Sequence, residues 1–372
     1  MDRILGQERA INVLHKSLQS GRLHHAWVFH GPVGVGKFTT AVAYARTLLC
    51  HDAQADLTGR ITACGSCASC RLLPDAGDVT RATHPDLHVV TKELARYDDD
   101  RQIRERKLMQ IPVEVLRSAL LAPAYLAAGL RHNKVFIVDE AELLNPTGQN
   151  LLLKTLEEPP AGTFLILVTS NEDRLLPTIR SRCQRVAFGL LGQQVVADWL
   201  DRQPTPLNET ERQWMVRFAD GSIGRAKLAL EYHLSAWAET VLPAIDTMAE
   251  GDFPTPLGKQ ITEMIDGFAK QWVDRHENAS KEAANRQAAA LMWSLIGGEA
   301  RRRIAELAQG CDPTVPDAAE AALGPWLGVI DALSEAERHL ASNVNLSLTC
   351  DHLVSLIHRR LSDRDALTLP SY

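Results

Sequence analysis

The stretch HAWVFHGPVGVGKFTTAVAYARTLL, residues 25–49, constrains this chain more than any other. It runs from an apolar strand-like segment through a glycine-rich loop into a helical pattern, the order that a phosphate-binding loop requires. Gly31, Gly34 and Gly36 let backbone amides turn inward, and Lys37 is placed to reach the β and γ phosphates of a nucleotide. A helix N-terminus at Phe38 adds partial positive charge. The residue after the lysine is expected to be Ser or Thr, whose hydroxyl ligates Mg²⁺, yet here it is Phe38. Thr39 does not substitute, because one step along a helix turns a side chain by about 100°. Amides and Lys37 can still hold nucleotide, but magnesium binding and efficient phosphoryl transfer are compromised, so the loop reads either as vestigial or as a nucleotide sensor.

The first half alternates apolar runs with helical patterns, which predicts a mostly parallel sheet covered on both faces. Strands are expected at His25–Phe29, Leu87–Val90, Lys134–Val138, Phe164–Thr169 and Arg185–Phe188. Helices are expected at Glu8–Gln19, Thr39–Leu49, Val113–Leu121 and Thr147–Leu156. Beyond Phe188 strand signals nearly vanish, and DRQPTPLNET (201–210) and GDFPTPLGK (251–259) punctuate a helical remainder. This gives an α/β domain over 1–188 with an inserted cysteine module near 50–72, a small helical domain over 189–245 and an all-α domain over 246–372. The charged run RYDDDRQIRERK (96–107) reads as an exposed loop or frayed helix.

KVFIVDEAELL sets Asp139 and Glu140 at the C-terminal end of a buried strand, the edge of an open α/β sheet where ligands bind. In a P-loop ATPase these positions hold Mg²⁺ through water and orient the attacking water. TFLILVTSN ends in Thr169, Ser170 and Asn171, polar tips able to report on a γ phosphate. The run QNLLLKTLEEPPAGTFLILVTSNEDRLLPTIRSRCQRV, residues 149–186, then closely resembles the clamp-loader branch of the AAA+ proteins, with LLKTLEEPP and SRC as its diagnostic pieces. The resemblance implies a P-loop AAA+ domain with a parallel five-stranded sheet, a helical lid and an all-α collar. It implies that Arg182 of SRC enters the ATP site of a neighbouring subunit, supplying charge in trans. It implies too that Arg225 of GSIGRAK is a nucleotide-sensing lid arginine.

Within that family, ILGQERAINVLHKSLQSGRLHHAWVFHGP, HPDLHVV and Phe38 resemble the delta-prime type, since gamma/tau motor subunits keep the hydroxyl. The short C-terminal region points the same way, and SNVNLSLTCDHLVSLIHRRL (342–361) resembles a collar helix. The implied partners are gamma/tau and delta subunits in a hetero-pentamer, with the sliding clamp and primer–template DNA reached through the complex. A gamma/tau-type ATPase motor is the alternative.

Cys64, Cys67 and Cys70 form CxxCxxC, and with Cys50 they offer four thiolates for one tetrahedral ion. Zinc is the expected occupant: an iron–sulfur motif wants a further cysteine three residues on, where Arg71, Leu72 and Leu73 stand instead. Family members carry such a module here, although the Cys50–Cys64 gap is longer than their pattern. A closed four-cysteine site has no open position, so its role is structural or interactive. Cys183, Cys311 and Cys350 read as buried small residues. The net charge of -6 argues against a surface that coats nucleic acid indiscriminately, and against a zinc-dependent DNA binder. No apolar run of eighteen residues and no basic-then-apolar N-terminus occurs, so a cytoplasmic chain without membrane contact is expected.

Overall fold

The computed structural model describes residues 4–362 apart from Arg22, 57–58, 74–82, 98–109, 131–132, 277–278, 311–315 and Asn343. The charged run expected to be a loop lies outside the described residues from 98 onward, as does Cys311. Two compact units emerge, Met1–Thr205 with Ala219–Arg225, and Pro206–Phe218 with Ala226–Tyr372.

The first unit is built on a five-stranded, all-parallel sheet of β1 (Ala26–His30), β4 (Leu87–Val90), β5 (Lys134–Val138), β6 (Thr163–Thr169) and β7 (Gln184–Ala187). Its order is β4-β5-β6-β1-β7, so β6 is central and β1 lies between β6 and the edge strand β7, both from later in the chain. All of β5 and β6 is buried. Alternate side chains feed two separate cores, because successive residues of a strand face opposite ways. Trp27, Phe29, Val135, Ile137, Ile166 and Val168 join the helices α1 (Glu8–Gln19) and α2 (Lys37–Leu49) on one face. Val28, Phe136, Val138, Leu165 and Leu167 join Leu116, Leu120, Leu152 and Ile179 on the other. Coverage on both faces explains why these strands read as unbroken apolar runs. It is the P-loop α/β arrangement with a parallel five-stranded sheet expected above, and each predicted strand lies within one residue of its observed bounds at either end.

Two details depart from the expected elements. The helix beginning at Val113–Leu116 widens into a π-turn over Arg117–Leu121 before ending at Ala122–Ala124. A hairpin of β2 (Gln54–Ala55) and β3 (Ile61–Thr62) fills the space between Cys50 and Cys64.

Lys134, the first residue of β5, is only 4% exposed. Its ammonium donates to the carbonyls of Pro123 (3.0 Å), Ala124 (2.5 Å) and Leu126, at the C-terminal end of the preceding helical segment. A cation belongs there, since the last carbonyls of a helix lack intrahelical donors and carry partial negative charge. Lys134→Met is expected to destabilise this unit by about 3 kcal/mol, because one buried and two partly buried acceptors lose a charged donor. An unchanged urea midpoint for the variant would contradict that.

The second unit is all-helical among the described residues, its main helices being Ser235–Glu250, Leu257–Arg275, Lys281–Gly310, Pro316–Ala341 and Leu346–Ser362. They share one core containing Trp237, Ile245, Ile265, Phe268, Trp293, Leu333, Leu353 and Ile357. No described helix is long and apolar enough to cross a membrane.

Candidate functional site

The loop after β1 is held by its carbonyls. Lys37 Nζ donates to Gly31 O (2.7 Å) and Pro32 O (2.6 Å). Ser222 Oγ donates to Val33 O (2.9 Å), and Gly224 N to Gly34 O (2.9 Å). The buried amide of Gln7 donates to Val35 O (3.1 Å), and Thr40 reaches Gly36 O through both its N–H (2.9 Å) and its hydroxyl (2.8 Å). Six consecutive carbonyls, 31 to 36, are thus engaged from inside the unit. Because C=O and the next N–H of a planar peptide point opposite ways, the amides are turned to the other side, the arrangement of an anion-binding nest.

Glycine is required where the backbone packs on itself. A Cβ on Gly31 would lie 2.1 Å from Phe188 O, and one on Gly34 would lie 2.9 Å from the Cα of Gly224. Both glycines also have positive φ, 139° and 76°. Ser222 caps the helix Ile223–Glu231 by accepting from Arg225 N (3.1 Å), so the GSIGRAK segment is fastened to the loop by its first turn. The Arg225 guanidinium lies 3.9 Å from Asp220.

Phe38 is half-buried and packs against the core that contains Trp27 and Phe29. The position after the lysine therefore supplies an aromatic ring to the interior and no oxygen. Thr39 is half-buried one step on, and Thr40 spends its hydroxyl on Gly36 O.

At the end of β5, Asp139 accepts from Glu140 N (3.0 Å). Burial raises its carboxyl to about 6, reinforced by Glu140 and Glu142 and opposed by Lys37. Lys37 is in turn lowered by burial, with Glu142 and Asp139 pulling it back up. Glu140 adopts a left-handed φ of 48° and points its carboxylate to Lys92 (2.7 Å). Glu142, which sequence reasoning did not single out, accepts from Ser170 N (3.0 Å) and from the Ser170 hydroxyl. Burial pushes the Glu142 carboxyl up, but those bonds outweigh it and hold it below the usual range. The acidic cluster beside Lys37 is therefore Asp139 and Glu142 tied to Ser170, with Glu140 turned toward Lys92.

A raised carboxyl makes a specific pH claim. The cost of ionising Asp139 in the fold is absent below about pH 4 and develops as pH rises from about 4 to about 6. Asp139→Asn is expected to stabilise the fold by about 2 kcal/mol above pH 6 and to flatten the pH dependence below it, read from thermal midpoints. A variant that melts earlier than wild type at neutral pH would refute this.

Arg182 sits just after the short helix Pro177–Arg180, its side chain 36% exposed. It pairs with Glu157 (2.7 Å) and donates to Thr178 O (3.0 Å). Glu157 belongs to LLKTLEEPP, so the two diagnostic pieces of the sequence touch one another through this ion pair.

The four cysteines come together at the far end of α2, about 20 Å along the helix axis from Lys37. All four sulfurs lie within 4.8 Å of one another, with Cys50–Cys64 at 3.6 Å and Cys50–Cys67 at 3.9 Å. Zinc–sulfur bonds of about 2.3 Å in a tetrahedron imply sulfur separations of about 3.8 Å, so the cluster fits a metal ion. The β2–β3 hairpin absorbs the long spacing and returns Cys64 to Cys50. Amides of Cys64, Cys67 and Cys70 donate to the sulfurs of Cys50 (3.3 Å), Cys64 (3.4 Å) and Cys67 (3.4 Å). Such second contacts favour thiolates, and the amides of Ser66 and Cys67 bring Cys64 down to about 6. Cys350 is buried as expected, whereas Cys183 is half-buried at the margin of the sheet core.

The sequence model of the family described as "DNA polymerase III, delta subunit" matches residues 6–191, half of the chain. This chain belongs to the DNA polymerase III delta-subunit family, in its delta-prime branch. Among curated relatives, the DNA polymerase III subunit delta' of Bacillus subtilis (strain 168) is 32% identical over 197 residues, covering 53% of this chain and 52% of that one. The subunit gamma/tau of Mycobacterium bovis is 34% identical over 203 residues, covering 54% and 30%. The chain thus spans about half the length of the curated delta-prime relative, and pairwise identity alone does not separate the two types. A gamma subunit-related protein of Thermotoga maritima aligns over 94% of this chain and 99% of its own, at 14% identity and a TM-score of 0.42.

Proposed function

We propose that this chain is a delta-prime-type subunit of a DNA polymerase III clamp loader. It supports ATP-dependent placement of the sliding clamp on primed DNA without running an effective ATPase of its own. One observation carries the reading: in a loop whose carbonyls, glycines and lysine are otherwise in place, Phe38 turns a ring into the core where a magnesium-ligating hydroxyl belongs. Gly31, Gly34, Gly36 and Lys37 would still cradle phosphates, with Thr39, Ser170 and Arg225 nearby in the motif pattern. Asp139 and Glu140 occupy the positions that serve magnesium and water in active relatives. Arg182 acts on a neighbouring subunit's nucleotide. Gamma/tau and delta subunits are the partners in a hetero-pentamer of the cytoplasm, and the helical region beyond residue 245 is the collar through which they assemble.

The metal at Cys50, Cys64, Cys67 and Cys70 is zinc in a closed structural site, which would order the 50–72 module and leave no position for substrate. The complete lysine loop and the lid arginine keep one alternative in view, a gamma/tau-type motor. Nucleotide binding by the purified chain decides between them. Affinity for ATP is expected to change less than about threefold on adding Mg²⁺, and turnover to stay below about 0.1 per second. Faster turnover that Lys37→Ala abolishes would establish the motor instead.

A further inference from the structure

The helical unit carries a second convergence of metal-ligating side chains, far in sequence from the cysteines. Glu335 and His339 are four residues apart on the helix Pro316–Ala341, and His352 lies on the next helix, Leu346–Ser362. Residues at i and i+4 share a helix face. Both helices bury the adjoining positions, Leu333 and Ala336 on one and Leu353 and Val354 on the other. The three polar side chains therefore stand side by side along the rim of one buried seam.

The turn between the helices is closed by Val344 N donating to His339 O (3.0 Å) and by Asn345 Oδ1 accepting from Ser347 N (2.9 Å). Donors on helices joined by so short a turn are held more rigidly than donors on loops. Glu335 Oε1 lies 3.0 Å from His352 Nε2 and 3.9 Å from His339 Nε2, and one ligand atom from each residue falls within 4.8 Å of the others. A tetrahedral ion with bonds of about 2.0–2.1 Å to nitrogen and oxygen needs ligand separations of about 3.3 Å, which the two distances bracket. The side chains are 34–44% exposed, so an ion can reach them without unfolding.

We propose that Glu335, His339 and His352 form a binding site for a divalent late transition-metal ion such as zinc, clamping the last two helices together. Two imidazoles and a carboxylate suit zinc, nickel or copper better than calcium or magnesium. Arg338, electrostatically coupled to Glu335, also weighs against a hard cation held by charge alone. Three protein ligands leave at least one coordination position for water. The ion joins two stretches of chain through exposed groups, so binding stabilises the helical unit by an amount that grows with the logarithm of free metal above the dissociation constant.

The test uses the full chain without an added histidine tag. Zinc per chain is counted after equilibration at micromolar free zinc, for wild type, Cys67→Ser and the double variant His339→Ala/His352→Ala. The expected result is one fewer zinc in the double variant than in wild type, with the difference retained on the Cys67→Ser background, whatever the cysteines hold. Glu335→Gln, which keeps a polar group of the same shape, should weaken zinc binding at this site at least tenfold. On the Cys67→Ser background, zinc should also raise the melting temperature when His339 and His352 are present and not when both are replaced by alanine. Equal stoichiometry in wild type and double variant, or a site filled only at millimolar zinc, overturns the proposal. Melting of each variant without zinc shows that all are folded, since none of the three side chains is buried.

Discussion

Arg182→Ala, placed in an otherwise complete clamp loader, is expected to lower ATP hydrolysis at the adjoining subunit's site by about 10³-fold or more while this chain still folds and assembles. Stability should barely change, because the Arg182–Glu157 pair is solvent-exposed and such pairs contribute about 0.2–1 kcal/mol. The catalytic loss would be large because a guanidinium offers a planar fork of donors to charge that develops on a transferring phosphoryl group. Arg182→Lys should recover part of the rate and not all of it, since an ammonium keeps the charge and loses the fork. Glu157→Ala should leave hydrolysis intact, separating the arginine's outward role from its local pairing. Unchanged single-turnover hydrolysis by a reconstituted loader carrying Arg182→Ala would remove this residue from the mechanism.

The second large effect concerns the cysteines. Stripping the metal with a chelator, or replacing Cys67 by serine, is expected to release one zinc and open residues 50–72 to proteases. The sheet of the same unit should remain folded. The module has little core of its own: β2 and β3 are two residues each, and β2 is exposed. In small zinc modules the metal supplies about 10–16 kcal/mol of apparent binding energy, which is then folding energy. Protection of this segment that persists in the metal-free chain would show that the cluster is dispensable for its order. Because Cys67→Ser leaves Glu335, His339 and His352 untouched, the two metal losses can be told apart.

The sheet was legible because its signal is local and strong. β5 and β6 are continuous apolar runs that admit no other placement once both faces are covered, and the glycine loop announced the turn between β1 and α2. The π-turn over Arg117–Leu121 left no mark, since one extra residue in a helix does not disturb an apolar pattern this short. Two-residue strands have no periodicity, so the hairpin between Cys50 and Cys64 could not be foreseen. The clasp on the glycine loop was hidden for a different reason: Gln7 and Ser222 reach Val35 and Val33 across 28 and 189 residues of sequence, and nothing local marks them. Glu142 carried a faint signal as the third acid in DEAE. Only its bonds from Ser170 distinguish it from an ordinary helix-turn glutamate.

The lysine at the mouth of that loop is already engaged, donating to the carbonyls of Gly31 and Pro32. An anion arriving there does not add contacts to an idle cation; it swaps partners with the backbone. Hydrogen bonds lost and gained nearly cancel in such an exchange, so what remains to drive capture is the difference between a dipole and a full negative charge. That difference is long-ranged and readily screened, and affinity at this loop should follow ionic strength more closely than it follows the shape of the base or sugar.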